Sequence, residues 1–168
     1  NTNKGNHEWL DLFKNHDTQV ENKISSVIED DKIHEYNFAF NLMEHIPNHS
    51  NIFIGNSLMI RAFDSYSKKF DKDILFFSNR GASGIDGNIS TALGISVSCP
   101  KKSNFLIIGD QAFMHDIGSL RLLKDMESNL TIIIINNNGG AIFDYLNLSD
   151  SNTNKSYQKF IRRTHSIN

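Results

Sequence analysis

The sequence predicts an α/β domain built on a parallel sheet with helices on both faces. Short continuous apolar runs recur along the chain, in place of the alternating pattern of a sheet with one wet face. Between them lie stretches whose apolar residues recur at helical spacing. Glycine, asparagine or aspartate punctuates the ends of the runs, which is where an open parallel sheet meets its loops.

Each element follows from local pattern. Residues 1–30 are polar and asparagine-rich around one apolar patch, Trp9, Leu10, Leu12 and Phe13. They read as a linker from a preceding domain, with a short amphipathic helix. The domain proper then occupies residues 31–168. A helix over 33–45 carries Ile33, Tyr36, Phe40 and Met43 at helical spacing, and Pro47 with Asn48 stops it. Residues 52–54 form a strand closed by Gly55. Ser57 is placed to cap the next helix, which carries Leu58, Ala62, Phe63 and Tyr66. A strand over 74–77 runs into a glycine-rich loop, and a helix over 89–97 is rich in small residues. Strands over 105–108 and 131–135 flank a helix over 113–126. Residues 147–159 read as an exposed loop. The chain stops soon after, so the domain is expected to be cut on its C-terminal side.

Composition narrows the class of function. The 168 residues are enough for one ordinary domain, and 39% hydrophobic content is enough for a core. Seventeen Lys and Arg against 19 Asp and Glu leave a net charge of −2, which offers no basic surplus for nucleic acid. Cys99 stands alone, so neither an intrachain disulfide nor a cysteine zinc site is possible. No apolar run is longer than 132–135, far short of the ~20 residues of a membrane helix. The first six residues lack the pattern of a signal peptide, and the chain does not begin with Met. A fragment of a longer protein is expected.

In an open parallel sheet, ligands bind beyond the carboxyl ends of the strands. Three strand ends stand out. Gly109-Asp110 is followed 27 residues later by Asn137, with Gly139 just beyond. One helix and one returning strand fit between them, which brings a carboxylate and an amide oxygen to the same sheet edge. Such hard oxygen donors suit Mg²⁺. Taken singly, Gly-Asp and Asn-Gly are ordinary turn formers; their spacing is what points to a metal. The second strand end is Arg80 with Gly81, Gly84 and Gly87, a loop that lets backbone approach a ligand. Its G-x-x-G-x-x-G spacing is not a dinucleotide fingerprint. The third is Gly55-Asn56-Ser57 with Arg61 one turn further on. Two arginines near strand ends suit a substrate carrying carboxylates. The histidines are less informative. Pro47 separates His45 from His49, His115 reads as a helix-end or ligand-side residue, and His7, His16, His34 and His165 form no ligand pattern.

These blocks resemble a known family. Gly109-Asp110 with Asn136-Asn137 resembles the metal–diphosphate motif of thiamine-diphosphate enzymes, although Gln111 stands where that motif usually has glycine. Residues 55–61 (GNSLMIR), 78–87 (SNRGASGIDG), 109–116 (GDQAFMHD) and 136–143 (NNNGGAIF) are together similar to the C-terminal domain of 2-succinyl-5-enolpyruvyl-6-hydroxy-3-cyclohexene-1-carboxylate synthases, enzymes of menaquinone biosynthesis. The similarity runs from about Trp9 to the end of the chain, and residues 79–87 are its most specific block.

The resemblance implies a thiamine-diphosphate-binding fold. It also implies that Asp110, the Asn137 side chain and the Gly139 main-chain oxygen hold Mg²⁺ or Mn²⁺, which in turn holds the cofactor diphosphate. Gly84, Ile85, Gly109 and Gln111 fall at cofactor-contacting positions, with Ile85 supporting the bent cofactor. Ser57, Arg61 and Arg80 match positions that meet substrate carboxylates, and Ile142, Phe143 and Leu146 match apolar residues lining the isochorismate side. The implied reaction is decarboxylation of 2-oxoglutarate and addition of the resulting carbanion to isochorismate. It needs an activating glutamate, which in this family lies on a separate N-terminal domain, so no catalytic residue is expected within these 168 positions. A cytoplasmic homodimer or homotetramer with shared active sites is implied as well. The alternatives are another thiamine-dependent decarboxylase of the acetolactate-synthase type, or a non-catalytic Mg²⁺–diphosphate binding module.

Overall fold

A computed structural model describes residues 7–28, 34–146 and 154–166. Four parallel strands form one sheet: β1 (Ser50–Ile54), β2 (Ile74–Phe77), β3 (Ser103–Gly109) and β4 (Leu130–Ile135), in the order β2-β1-β3-β4. Each expected strand is present, lengthened by up to two residues at an end. The helices are α1 (His7–Ile28), α2 (Glu35–His45), α3 (Leu58–Tyr66), α4 (Asn88–Ser98), α5 (Asp110–Asp116) and the short α6 (Asn154–Ser156).

Alternation along the strands builds two cores. Ile52 and Ile54 of β1 and Ile107 of β3 pack with Ala39, Met43, Met59 and Phe63 of α2 and α3. Phe53, Leu106 and Ile108 point the other way, onto Ile89, Ala92 and Leu93 of α4 and Ala112 of α5. The side-chain period of two within a strand makes this division unavoidable. The connection β1–α3–β2 steps one way along the sheet, whereas β2–α4–β3 and β3–α5–β4 step the other. Right-handed crossovers therefore require α3 and α4 on opposite faces, as found.

Four local expectations change. The short helix expected near Trp9 is α1, a 22-residue helix that leaves Trp9, Leu12, Phe13 and Val20 exposed and buries Ile28. The helix expected over 113–126 starts at Asp110, because Gly109, the last residue of β3, takes the N-cap position. It turns into a tighter 3₁₀ helix over Ile117–Lys124, so Met126 lies beyond it. Ser57 does occupy the N-cap position of α3, but its hydroxyl makes no capping bond, and its φ of 76° is unusual for a residue with a side chain. Within the loop expected over 147–159, residues 154–156 are helical and Tyr157–Arg162 form a wide π-type turn; residues 147–153 lie outside the described residues.

Buried asparagines tie the amino ends of the central strands together. Asn51 and Asn104 are register partners on β1 and β3, and both are buried. Asn51 Nδ2 donates to Asn104 Oδ1 at 2.9 Å, and Asn104 Nδ2 donates to Asn129 Oδ1 at 2.6 Å. Asn129 Nδ2 in turn donates to Lys102 O at 2.7 Å. Nearby, Lys72 Nζ donates to the carbonyls of Met43, Glu44 and Ile46, closing the C-terminus of α2 where helix carbonyls lack partners.

Asn104→Ala leaves the buried Asn51 amide nitrogen without its partner inside the fold. It is expected to cost about 2–4 kcal/mol of stability, read by urea denaturation of the full-length protein. A loss under about 0.5 kcal/mol, the level of an ordinary surface change, would mean that water replaces the ladder.

Candidate functional site

The strand order reverses between β1 and β3, so their carboxyl ends open a crevice where chains leave for opposite faces. Gly55 N donates to Ile107 O at 2.8 Å, and a Cβ at Gly55 would sit 3.2 Å from that same oxygen. Glycine is thus what lets β1 turn this closely against β3. Asn56, Ser57, Ile85, Gly109, Asp110, Gln111, Asn137, Gly139 and Ile142 line one small pocket of about 70 Å³ at this crevice. The expected cofactor and metal residues therefore converge, coming from the ends of β1, β3 and β4 and from the loop after β2. Gly84 is absent from the pocket wall; its carbonyl is instead bonded by Asn56.

Asp110 opens α5 and is only 5% exposed. A buried carboxylate needs donors or a cation around it. Here Oδ1 accepts from Gln111 N at 2.7 Å, and Oδ2 accepts from Gly139 N at 2.7 Å. His165 Nε2 also lies 2.8 Å from Oδ2. Asn137 Nδ2 donates to Glu35 Oε1 at 2.7 Å, which turns Asn137 Oδ1 the other way. That oxygen is buried with no partner among the described residues. A carboxylate and an unpartnered amide oxygen in one pocket are a donor set suited to a hard divalent cation. Among the described residues no three His, Cys, Asp or Glu side chains group as a metal cluster. The remaining ligands of such a cation would then come from a diphosphate and water.

The substrate-side residues divide between two spaces. Arg61, Ile142, Phe143 and Leu146 share a mostly apolar cavity of about 580 Å³ with Tyr36 and Tyr66. Arg80 joins Arg61 at an adjoining cleft with Asp64, Phe70 and Phe76. Ser57 faces the small pocket with the cofactor residues and lies apart from the arginines. Arg80 is steered by Asn56, whose Oδ1 accepts from Nη1 at 2.7 Å.

Three residues at the site escaped sequence reasoning: Glu35, Asn56 and His165. Glu35 and His165 reach it across 102 and 55 positions of chain, beyond any spacing argument. Asn56 sat inside a recognised block, but nothing in the block set its role apart from a turn. His115 Nε2 lies 2.7 Å from Asp86 Oδ1, fastening the glycine-rich loop to α5. His49 pairs with Asp73 far from the site, and that hydrogen bond is the main reason the Asp73 carboxyl is held below the ordinary aspartate range.

Residues 136–143 and 154–166 are also joined. Arg162 Nη2 donates to Asn137 O at 2.8 Å, and its Nε lies 3.1 Å from Asp144 Oδ2. Tyr157 Oη donates to Asp144 Oδ1 at 2.5 Å. Burial and then that carboxylate raise the Tyr157 phenol above the ordinary tyrosine range.

With the geometry in place, comparison with known proteins decides the family. Residues 54–164 match the model of the thiamine pyrophosphate enzyme C-terminal TPP-binding domain. The chain belongs to that family. Its parallel sheet and helices are those of this domain, and thiamine diphosphate is the cofactor it is built for. It is similar to proteins named 2-succinyl-5-enolpyruvyl-6-hydroxy-3-cyclohexene-1-carboxylate synthase. One from Lysinibacillus sphaericus is 47% identical over 62% of this chain and 18% of that protein. One from Listeria welshimeri is 44% identical over 77% and 21%. One from Roseiflexus is 36% identical over 82% and 24%. The chain thus spans about a fifth of the length of the curated relatives it matches. Among the described residues, no helix of this TPP-binding domain is long and apolar enough to cross a membrane.

Gly139 has a φ of +118°, and a Cβ there would collide with Arg162 O and lie 3.0 Å from Arg163 O. Gly139→Ala should therefore push residues 154–166 away from Asp110. Limited trypsin digestion should then cut after Arg162 or Arg163 about tenfold faster, as expected when local opening becomes easier. Cleavage at the wild-type rate would mean that this segment is not seated against Gly139.

Proposed function

We propose that this chain is the diphosphate-binding portion of a 2-succinyl-5-enolpyruvyl-6-hydroxy-3-cyclohexene-1-carboxylate synthase, acting on 2-oxoglutarate and isochorismate. The observation that carries this reading is the juxtaposition of the Asp110–Asn137 pocket with an apolar cavity holding Arg61, the two sharing Leu58 and Ile142 as a common wall. The names borne by the relatives favour the same reaction.

Under this reading Asp110, Asn137 Oδ1 and the Gly139 carbonyl hold Mg²⁺ or Mn²⁺, and the metal fixes the diphosphate. Asn137 fits because its amide is already turned by Glu35 so that oxygen remains for a cation. Gly109 and Gln111 flank that carboxylate, Gly84 shapes the loop, and Ile85 gives apolar support from the pocket wall. When bound, thiamine diphosphate supplies the electron sink for decarboxylation of a 2-oxo acid. The protein's part is to orient and to exclude water. Ser57 faces the cofactor side, and Arg61 and Arg80 meet carboxylates, which both proposed substrates carry. Ile142, Phe143 and Leu146 form an apolar wall beside those charge contacts. The resemblance to these synthases implies that the activating glutamate lies on another domain, and Glu35 is engaged with Asn137. The same resemblance implies a site completed across a homodimer or homotetramer.

Asp110→Ala in the full-length protein is expected to abolish Mg²⁺-dependent binding of thiamine diphosphate while the protein stays folded. Isothermal titration with circular dichroism reads both, and normal cofactor affinity would overturn the metal assignment.

The substrate assignment is tested with 2-oxoglutarate and isochorismate, following CO₂ release and the adduct mass. Arg61→Ala and Arg80→Ala should each lower kcat/KM by about ten- to a hundredfold, the worth of one charge-assisted hydrogen bond. Arg80→Lys should be impaired too, since lysine keeps the charge but loses the fork. Turnover of pyruvate in place of 2-oxoglutarate, or arginine variants within twofold of wild type, would overturn the assignment.

A further inference from the structure

The side chain of Asn56 is bonded entirely to one loop. It sits at the carboxyl end of β1 and is only 6% exposed. Nδ2 donates to Gly84 O at 2.7 Å and to Asn79 O at 3.2 Å. Oδ1 accepts from Arg80 Nη1 at 2.7 Å. All three partners belong to residues 78–87, which join β2 to α4. An amide offers two donors and an acceptor at fixed angles, and here each kind is spent on the same loop.

Topology explains why one buried side chain carries this task. β2 is the edge neighbour of β1, and α4 packs on the face opposite α3. The chain from β2 to α4 must therefore pass across the carboxyl end of β1, directly by Asn56. The loop has little else to hold it. Residues 81–86 are all exposed, and a Cβ at Gly81 would meet nothing within 4 Å. Ser78 Oγ donates to Ile54 O at 2.9 Å at the loop's start, and the exposed His115–Asp86 pair fastens its far end. Between them lie Arg80 and Ile85, the two side chains that the proposed reaction needs aimed.

We propose that Asn56 is a positioning residue that acts through Arg80 and Gly84. Its carbonyl oxygen pins one guanidinium nitrogen, so the remaining N–H groups present a fixed edge to a substrate carboxylate. Its amide nitrogen holds Gly84 O, which sets where the next residue, Ile85, enters the cofactor pocket. The role of Arg80 in this inference rests on the proposed function; the clamp on the loop does not.

The test combines hydrogen exchange with a double-mutant cycle in the full-length protein. Asn56→Ala should speed amide exchange over residues 78–87 by about tenfold or more, with the sheet unchanged, as for a locally opened segment. It should also lower kcat/KM for the 2-oxo acid by about ten- to a hundredfold. Because part of the Asn56 effect runs through Arg80, the combined Asn56→Ala and Arg80→Ala variant should lose clearly less than the product of the two single losses. A merely structural role would give losses that multiply. Should Asn56→Ala fail to fold, Asn56→Asp takes its place, since it keeps the acceptor for Arg80 but cannot donate to Gly84. It should speed exchange over 81–87 while losing less activity than Arg80→Ala. Exchange at the wild-type rate in the variant that folds, or losses that multiply in the cycle, would overturn the inference. A wild-type protein that leaves 2-oxoglutarate and isochorismate untouched would overturn the proposed reaction, and the exchange measurement would still decide the clamp.

Discussion

The reversal of strand order between β1 and β3 is the constraint on which the site depends. Two adjacent parallel strands whose chains depart to opposite faces leave a gap beyond their carboxyl ends, and no side chain of the core can fill it. Gly55 keeps that gap narrow, since its amide reaches Ile107 O and its missing Cβ leaves room for the turn. From this one junction follow the entry of Asp110 at the start of α5, the exposure of Ser57 at the start of α3, and the crossing of residues 78–87 overhead. Widening the β1–β3 contact would displace all three together.

Asparagines serve the two ends of the sheet differently. At the amino ends Asn51, Asn104 and Asn129 bond to one another and to main chain, so their polarity is absorbed in holding strands. At the carboxyl end Asn137 spends its Nδ2 on Glu35 and keeps Oδ1 without a partner. Asn51 Oδ1 is also unpartnered, so an orphaned oxygen alone does not mark a ligand. What sets Asn137 apart is company: it shares a pocket with the buried Asp110 and with Gly139, whose amide already bonds that carboxylate. Positive φ angles cluster at this same end, Ser57 at 76°, Asn138 at 61° and Gly139 at +118°, while His49 at 58° precedes β1 at the other end.

Much of this was legible in the sequence, for definable reasons. The strands were readable because parallel strands buried on both faces are continuous apolar runs, and glycine or asparagine ends them. Asp110 and Asn137 were readable because one βαβ unit separates them, so spacing alone placed them side by side. Ser57 misled at the level of the side chain, because a serine at an N-cap position ordinarily bonds the helix, and here a positive φ turns it away. The register of helix α5 was missed because apolar periodicity starts at Phe113, one turn after Gly109 had already begun the helix. Glu35 and His165 were illegible, since only the folded chain brings positions so distant to one carboxylate and one amide.

The division of the site into two spaces bears on selectivity. The small pocket gathers hard oxygen donors and backbone, chemistry that any diphosphate with a divalent cation can use. The neighbouring cavity is apolar apart from a few groups, chiefly Arg61, Glu35 and the tyrosines Tyr36, Tyr66 and Tyr145. A guanidinium against apolar walls attracts a carboxylate more strongly than one in open water, because the surroundings screen it less. It also penalises a substrate without that carboxylate, which would leave the cation unpaired once water is displaced. Arg80 extends the same logic to the next cleft, but only while Asn56 holds it. On the proposed reading, the cofactor pocket sets the class of chemistry, and the placement of two arginines around it sets which acids are admitted.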